Sequence, residues 1–444
     1  MKQKPIRLLI LGVGILSILV TLVWVVFFDG LGKISTSGES NLAVMRLYLN
    51  GVTLNEIYGG SKETKYEGNS AEIEDGEMKL DFLDVQVKGR GNSTWSGPKR
   101  PLQIKFKKKV DLLGLGKRKK YILLANVVDY SSVRNALMFH MAEMIDEKYR
   151  MRGEFIELFV DDDYQGLYYL TTKVEIGKNA VDIRNKYGVL FELDNLWSHV
   201  DDCHYSKAGE CLVLKEAVFE NDDVAKVAAE DFMASFNELE VAAKKRDFAA
   251  VSEVIDVRSF AEYFLISEFA VNPDAYVSSF YFYKDGKDDK IHAGPLWDYD
   301  YAFSNREWYK TFFSPIKTMA QREQVFAEKN KDSDKRKLMY YLIEIPEFKE
   351  EVERIFQEKL SGRKIELELM TARDLVRIKE AALKDERKWR GGEETFLKEG
   401  KYLLNWLDRR FDYFEREYGK NKIEENKIEN QNEMIFEFRD PVEI

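Results

Sequence analysis

Phe82–Phe106 reads FLDVQVKGRGNSTWSGPKRPLQIKF. Apolar and polar residues alternate from Phe82 towards Arg90, and PLQIKF at Pro101–Phe106 is again strand-like after a loop of Gly, Ser, Thr and Asn. A strand–loop–strand unit is expected here. Upstream, AVMRLYLN at Ala43–Asn50 has strand character, and downstream YILLAN at Tyr121–Asn126 adds another strand. FIELFVDDDYQGLYYLTTKV at Phe155–Val174 reads as a hairpin turning at Asp161–Gly166. Between these, Val133, Leu137, Met141 and Met144 recur at helical spacing, with Ser131 placed to cap a helix running to Ile145. Helical patterns dominate from about Asp222, broken by FYFYKDGKDDKIHAGPLWDYDYAF at Phe280–Phe303, which reads as a hairpin followed by an acidic loop. A last helix is expected over about Glu393–Tyr418. The fold class is α+β.

The 444 residues carry 45% hydrophobic and 13% aromatic side chains, which excludes a disordered chain, and a net charge of −10, which argues against a nucleic-acid binder. Leu8–Phe28 holds 21 residues without a charge, about the span of a bilayer core as a helix. Lys2, Lys4 and Arg7 precede it. By the positive-inside rule the N-terminus stays cytoplasmic and the rest is extracytoplasmic. The expected organisation is a membrane-spanning signal anchor over 1–28, with a cleaved signal peptide as the competing reading, a Gly/Ser stalk over 29–41, a folded domain over 42–418 and a polar, disordered tail over 419–444.

The two cysteines, Cys203 and Cys211, flank a Gly-containing turn; an oxidising compartment allows a disulfide there if their Cα atoms approach closely enough. His199, Asp201 and His204 lie nearby in a spacing that matches no standard zinc pattern. Phosphate-loop, zinc-protease and serine-hydrolase motifs are absent, and His140 falls inside a helical run, where packing explains it. Two charged segments remain. Lys99–Lys120 holds ten Lys/Arg against one acid, Asp111, directly after KGRGNSTW. That segment reads either as a solvated basic edge or as a phosphate site built from loop N–H groups, hydroxyls and Arg90. The acidic segment places Asp274 after an apolar helix and Asp298 and Asp300 among aromatics. Carboxylates of this kind can hold a divalent cation on bound phosphates or accept a hydroxyl proton; alone, D-x-D also fits a cap or an exposed turn.

Taken together, GRGNSTW, PKRPLQIKF, LLGL, LLANVVDYSSVRNAL, NPDAY…SSFYFYKD and AGPLWDYDYAF resemble the spore-coat protein H (CotH) kinase family over Leu42–Tyr418. The resemblance implies an atypical, protein-kinase-like two-lobed domain that binds ATP with Mg²⁺ or Mn²⁺ and phosphorylates Ser on protein substrates at the cell envelope or outside the cell. Carried over by motif, Arg90, Ser93 and Lys105 contact the nucleotide, Asp274 is the catalytic base, and Asp298 holds the metal with Asp300 as second ligand or support. Asn126, Asp129, Arg134 and Asn135 match a motif that structures the site. Three positions depart from the family pattern: Pro273, Ala217 where proline is common, and Thr172 where an acid is frequent. Glu175 or Glu192 is the candidate replacement for that acid. The departures keep a non-catalytic surface adhesion or binding module as the alternative to a Ser/Thr kinase, and a phosphotransferase acting on a glycan or polymer as a third reading.

Overall fold

The computed structural model describes residues 40–195, 200–219, 221–305, 337–392 and 394–419. The expected anchor, nearly all of the stalk, His199 and all but the first residue of the tail lie outside them. No helix among the described residues is long and apolar enough to cross a membrane.

Seven strands, β1 (Ala43–Tyr48), β2 (Lys65–Asp75), β3 (Met78–Gly89), β4 (Leu102–Val110), β5 (Arg118–Leu124), β6 (Gly153–Val160) and β7 (Asp163–Thr172), close into a barrel in the order β1-β2-β3-β4-β5-β7-β6. Neighbours are antiparallel except β1 and β6, whose parallel pairing closes the ring and leaves no free edge. AVMRLY buries every second residue, as a strand with one face on a core must. Met45, Leu47, Val87, Ile104, Leu123 and Leu158 fill the interior. The short helix α1 (Leu54–Gly59) lies between β1 and β2.

Three expectations need correction. KYEGNSAEIED at Lys65–Asp75 is a further strand; only Asn69, Ala71 and Ile73 are buried, and two of these three are small or polar, so little hydrophobic alternation marks it in the sequence. The hairpin turn shrinks to Asp161 and Asp162, whose φ values of +48° and +63° are those of a two-residue turn that follows strand twist. Ser131 does not cap α2 (Arg134–Met144): the carboxylate of Asp129 accepts the Arg134 N–H at 2.8 Å, and Ser131 itself donates to Asp129 at 2.6 Å.

A second sheet orders β8 (Gly188–Leu193), β9 (Cys203–Tyr205), β10 (Cys211–Ala217), β11 (Phe280–Asp285) and β12 (His292–Ala293) as β12-β11-β8-β10-β9, every pair antiparallel. Central β8 is buried throughout. Helix α3 (Asp222–Lys245) covers one face, stacking Phe232 on Phe191 at 4.2 Å and setting Phe236 against Phe282 at 5.5 Å. By the two-residue period, Glu192 and Tyr281, paired across β8 and β11, present the opposite face. His140 is a packed histidine, with Nε2 2.7 Å from Asp374.

Helices α4 (Phe248–Val254), α5 (Val257–Ala270), α6 (Leu338–Leu342), α7 (Pro346–Lys359), α8 (Lys364–Trp389) and α9 (Thr395–Tyr418) complete the described chain. Helix α8 ties this half to the barrel: Asp385 accepts from Lys99 Nζ at 2.6 Å and from the Leu167 N–H at 2.9 Å, and Trp389 donates to the Gln165 carbonyl at 2.9 Å. Gly166, at φ +110°, leaves the room that a Cβ would take from Asp385. Arg410 on α9 is fully buried and donates to the carbonyls of Glu268 and Phe269, satisfying the end of α5 just before Asp274.

Cys203 and Cys211 are bonded across the β9–β10 hairpin, with Cα atoms 5.1 Å apart. Replacing both with Ser should lower stability by about 2–3 kcal/mol from the loop closed. Denaturant titration of the variant beside the oxidised parent checks this, and superimposable curves would refute it.

Candidate active site

The loop after β3 and the acidic segment after β12 meet. Gly89 leaves space that the Trp95 ring occupies, and Gly91 takes φ +93° beside the Thr94 hydroxyl, so the loop folds tightly onto itself. Its shape aims Arg90 across the gap: the guanidinium lies 5.3 Å over the Trp297 ring, and its charge acts on Asp298. Ser93 hydrogen-bonds Tyr301. Two sequence motifs separated by some two hundred residues thus share one surface.

Three carboxyls converge beside them. Asp298 sits at φ +69°, a cost that the surrounding bonds sustain, and accepts from the Ser279 hydroxyl at 2.9 Å. Asp298 is exposed on the site surface, yet crowding by protein around its carboxyl raises its proton affinity, the Ser279 bond and Arg90 act against that, and Glu192 adds to it. Asn272 links the two acidic loops, with Oδ1 accepting the Asp274 N–H at 3.2 Å and Nδ2 reaching the Asp298 carbonyl at 3.4 Å. The Asp274 carboxyl is pushed up to about 6, first by burial and then by the charge of Asp298. Asp300 is raised well above the usual carboxylate range by burial and by Asp298, Asp129 and Asp274.

A buried polar frame fixes these loops. Arg134, with no exposed side-chain surface, pairs with Asp129, reaches Glu399 at 3.2 Å and donates from Nε to the Ala302 carbonyl at 3.0 Å. Asn135 accepts the Tyr299 N–H at 2.9 Å, and Asn305 donates to the carbonyls of Val128 and Asp300 at 2.7 and 2.8 Å. Asn126 instead donates to the Ser132 carbonyl at 3.2 Å, shaping the turn into α2.

Lys105 is placed less directly. It stands half-buried on β4 in register with Gln86 and with Lys120 on β5, and no hydrogen bond or ion pair joins it to the three acids. Its neighbour Lys120 is the lysine that meets Glu175, at 3.0 Å, while Lys215 meets Glu192 at 2.6 Å. Glu175 and Glu192 therefore each hold a lysine. Thr172 faces elsewhere: it pairs with Tyr121, and its hydroxyl is buried without a hydrogen-bond partner. Ser279, Tyr281, Lys120 and Lys215 join the surroundings of the site without having been singled out in sequence. The pattern SSFYFYKD contained the first two, but only the pairing of β11 with β8 puts Tyr281 beside Glu192.

Among the described residues, no group of three or more His, Cys, Asp and Glu could hold a metal ion by itself. Asp298 and Asp300 nevertheless fit a hard cation. The charge of Asp298, an exposed residue, raises the proton affinity of buried Asp300, so a cation shared by the two carboxylates would relieve their repulsion, and Mg²⁺ commonly takes one or two carboxylates, completing its shell with phosphate oxygens and water. The arrangement suits an anion held by Arg90 and the Ser93 loop, with Asp274 as a proton acceptor near its ionisation point.

A sequence profile described as CotH kinase protein matches residues 87–414, whereas no curated protein matches the chain.

Proposed function

Because the chain belongs to the CotH kinase family, we propose that it is an atypical protein Ser/Thr kinase dependent on ATP and a divalent metal. The barrel and the half that carries the second sheet serve as its two lobes. Leu8–Phe28 anchors the domain, which faces away from the cytoplasm towards envelope or exported protein substrates. The observation that carries this reading is the meeting of Arg90 and Ser93 with Trp297, Asp298 and Tyr301 beside Asp274.

In this mechanism Arg90 and the loop through Ser93 orient the nucleotide phosphates, with Lys105 contributing from β4. Asp298 and Asp300 would hold Mg²⁺ or Mn²⁺, which would offset charge on the phosphoryl group. Asp274 takes the proton of the acceptor hydroxyl as its oxygen bonds to the γ-phosphorus, and the bond to the ADP oxygen breaks. Arg134 and Asn135 keep the acidic loop in place throughout.

The test is transfer of label from [γ-³²P]ATP to added protein and to the domain itself, with and without Mg²⁺ or Mn²⁺, alongside nucleotide binding. A parent protein that binds no nucleotide with either metal removes the kinase reading and leaves the binding module, which the loss of an acid at Thr172 favours. Binding with transfer to a glycan alone changes the acceptor but retains the site.

Acid should silence the enzyme. A base must be ionised, and a carboxyl raised to about 6 is increasingly protonated as pH falls through that value, so turnover should drop about tenfold per unit below the break. A bound cation moves the break lower. Residual activity in Asp274→Asn should lack this limb; an unchanged profile would assign the break to another group.

A further inference from the structure

Away from the carboxylates, a pocket of about 250 Å³ opens where the end of β7 meets the β4–β5 loop and the turn before β6. Arg118, Lys148, Arg150 and Arg152 line it with Thr172 and Asn179, and no acidic side chain does. It shares no lining residue with Arg90, Asp274, Asp298 or Asp300.

Two polar groups in that lining lack partners. Arg118 is 5% exposed; its Nη atoms donate to the carbonyls of Lys173 and Asn179, while Nε is buried without a hydrogen bond. Thr172 is 1% exposed, and its hydroxyl is likewise unsatisfied. A buried guanidinium N–H and a buried hydroxyl left unpaired each cost free energy unless something enters to bond them. Arg152 makes no ion pair among the described residues; burial lowers the proton affinity of Arg118, Glu175, outside the pocket lining, acts against that, and the charge of Arg152 adds to it. Two guanidiniums in a pocket lining that holds no acid suit an anion. Arg150 is partly committed, at 3.5 Å from Glu143, and Lys148 lies over the Tyr149 ring at 4.9 Å.

We propose that this pocket binds a phosphate-class dianion, either inorganic phosphate or the phosphoryl group of a small phosphomonoester, held by Arg118, Arg152 and the Thr172 hydroxyl. A tetrahedral dianion accepts from several directions at once, which suits donors on separate strands better than a single carboxylate would. The pocket's size admits such an ion with a few waters. The ion would bridge β5, β7 and the connection through Asn179 that leads from the barrel to the second sheet.

The full chain, freed of divalent metal, is titrated calorimetrically with inorganic phosphate and separately with O-phosphoserine, and its thermal midpoint is followed in parallel. Binding is expected to weaken about tenfold in Arg152→Gln, where a charged hydrogen-bond donor is lost, and about threefold or more in Thr172→Val. In Arg90→Gln it should persist unchanged. O-phosphoserine binding as tightly as phosphate assigns the pocket to phosphomonoesters; binding of phosphate alone assigns it to the free ion. Absence of heat and of a midpoint shift overturns the proposal, as does phosphate binding that survives Arg152→Gln and Thr172→Val but vanishes in Arg90→Gln. Arg152 is exposed and Thr172→Val preserves shape, so neither variant threatens the fold.

Discussion

Asp298→Asn should reduce phosphoryl transfer by about 10³-fold or more and weaken metal-dependent nucleotide binding in the same protein. Both effects follow from one atom set. The carboxylate accepts from Ser279, lies within the field of Arg90, and supplies a negative charge that the cation needs in the ground state as well as in the transition state. Asparagine keeps the shape and removes the charge. Asp274→Asn should differ, losing about 10²–10⁴ in turnover while nucleotide affinity stays within a few-fold, because a base is needed only once the acceptor hydroxyl attacks. Lys105→Ala should fall between them, raising the apparent KM for ATP and lowering turnover. Calorimetric ATP binding and label transfer on the variants beside the parent separate the roles. If Asp274→Asn transfers as fast as the parent, Asp300 becomes the next candidate for the base.

Arg134→Ala should cost about 3–5 kcal/mol of stability, more than any other single change considered for this chain. The guanidinium is wholly buried and balances two acids, Asp129 and Glu399, while satisfying the Ala302 carbonyl. Removing it strands two charges where water does not reach. Denaturant titration measures the loss, and a shift below about 1 kcal/mol would show that the acids neutralise themselves or find other partners. A second consequence distinguishes this frame from an ordinary core pair: Asp129 is among the charges that raise Asp300, so freeing Asp129 should also shift the ionisation of Asp300. Arg134→Lys keeps a charge but loses the planar fork, and should recover only part of the stability.

The family was more legible in the sequence than the architecture. Arg90, Asp274, Asp298 and Asp300 stand in short, ordered motifs of unusual composition, and the resemblance drawn from them agrees with a profile match over 87–414. Strand-rich and helix-rich stretches were also readable, because one-sided burial imprints a period on runs such as AVMRLY. The closure of the barrel was not. It depends on which strands pair, and nothing local in Ala43–Tyr48 says that its partner is Gly153–Val160. Lys65–Asp75 hid because two of its three buried residues are small or polar. Lysine partners were equally opaque: ten basic residues crowd Lys99–Lys120, and only strand register shows that Lys120, rather than Lys105, meets Glu175. Capping by Asp129 in place of Ser131 reflects competition between two neighbouring oxygen acceptors, decided by Arg134 drawing the carboxylate inward.

The pairing of β1 on both sides has a mechanical meaning. The strand is bonded to β2 in the antiparallel sense and to β6 in the parallel sense, so a pull on its N-terminal end, directed along the strand, loads two ladders in shear together. A terminal strand on an open edge unzips one bond at a time. This one has to slide as a unit, so a domain tugged from the segment ahead of Ala43 should resist extension at its first stave, leaving the carboxylate loops, which come after the whole barrel in the chain, undistorted until the barrel itself gives way.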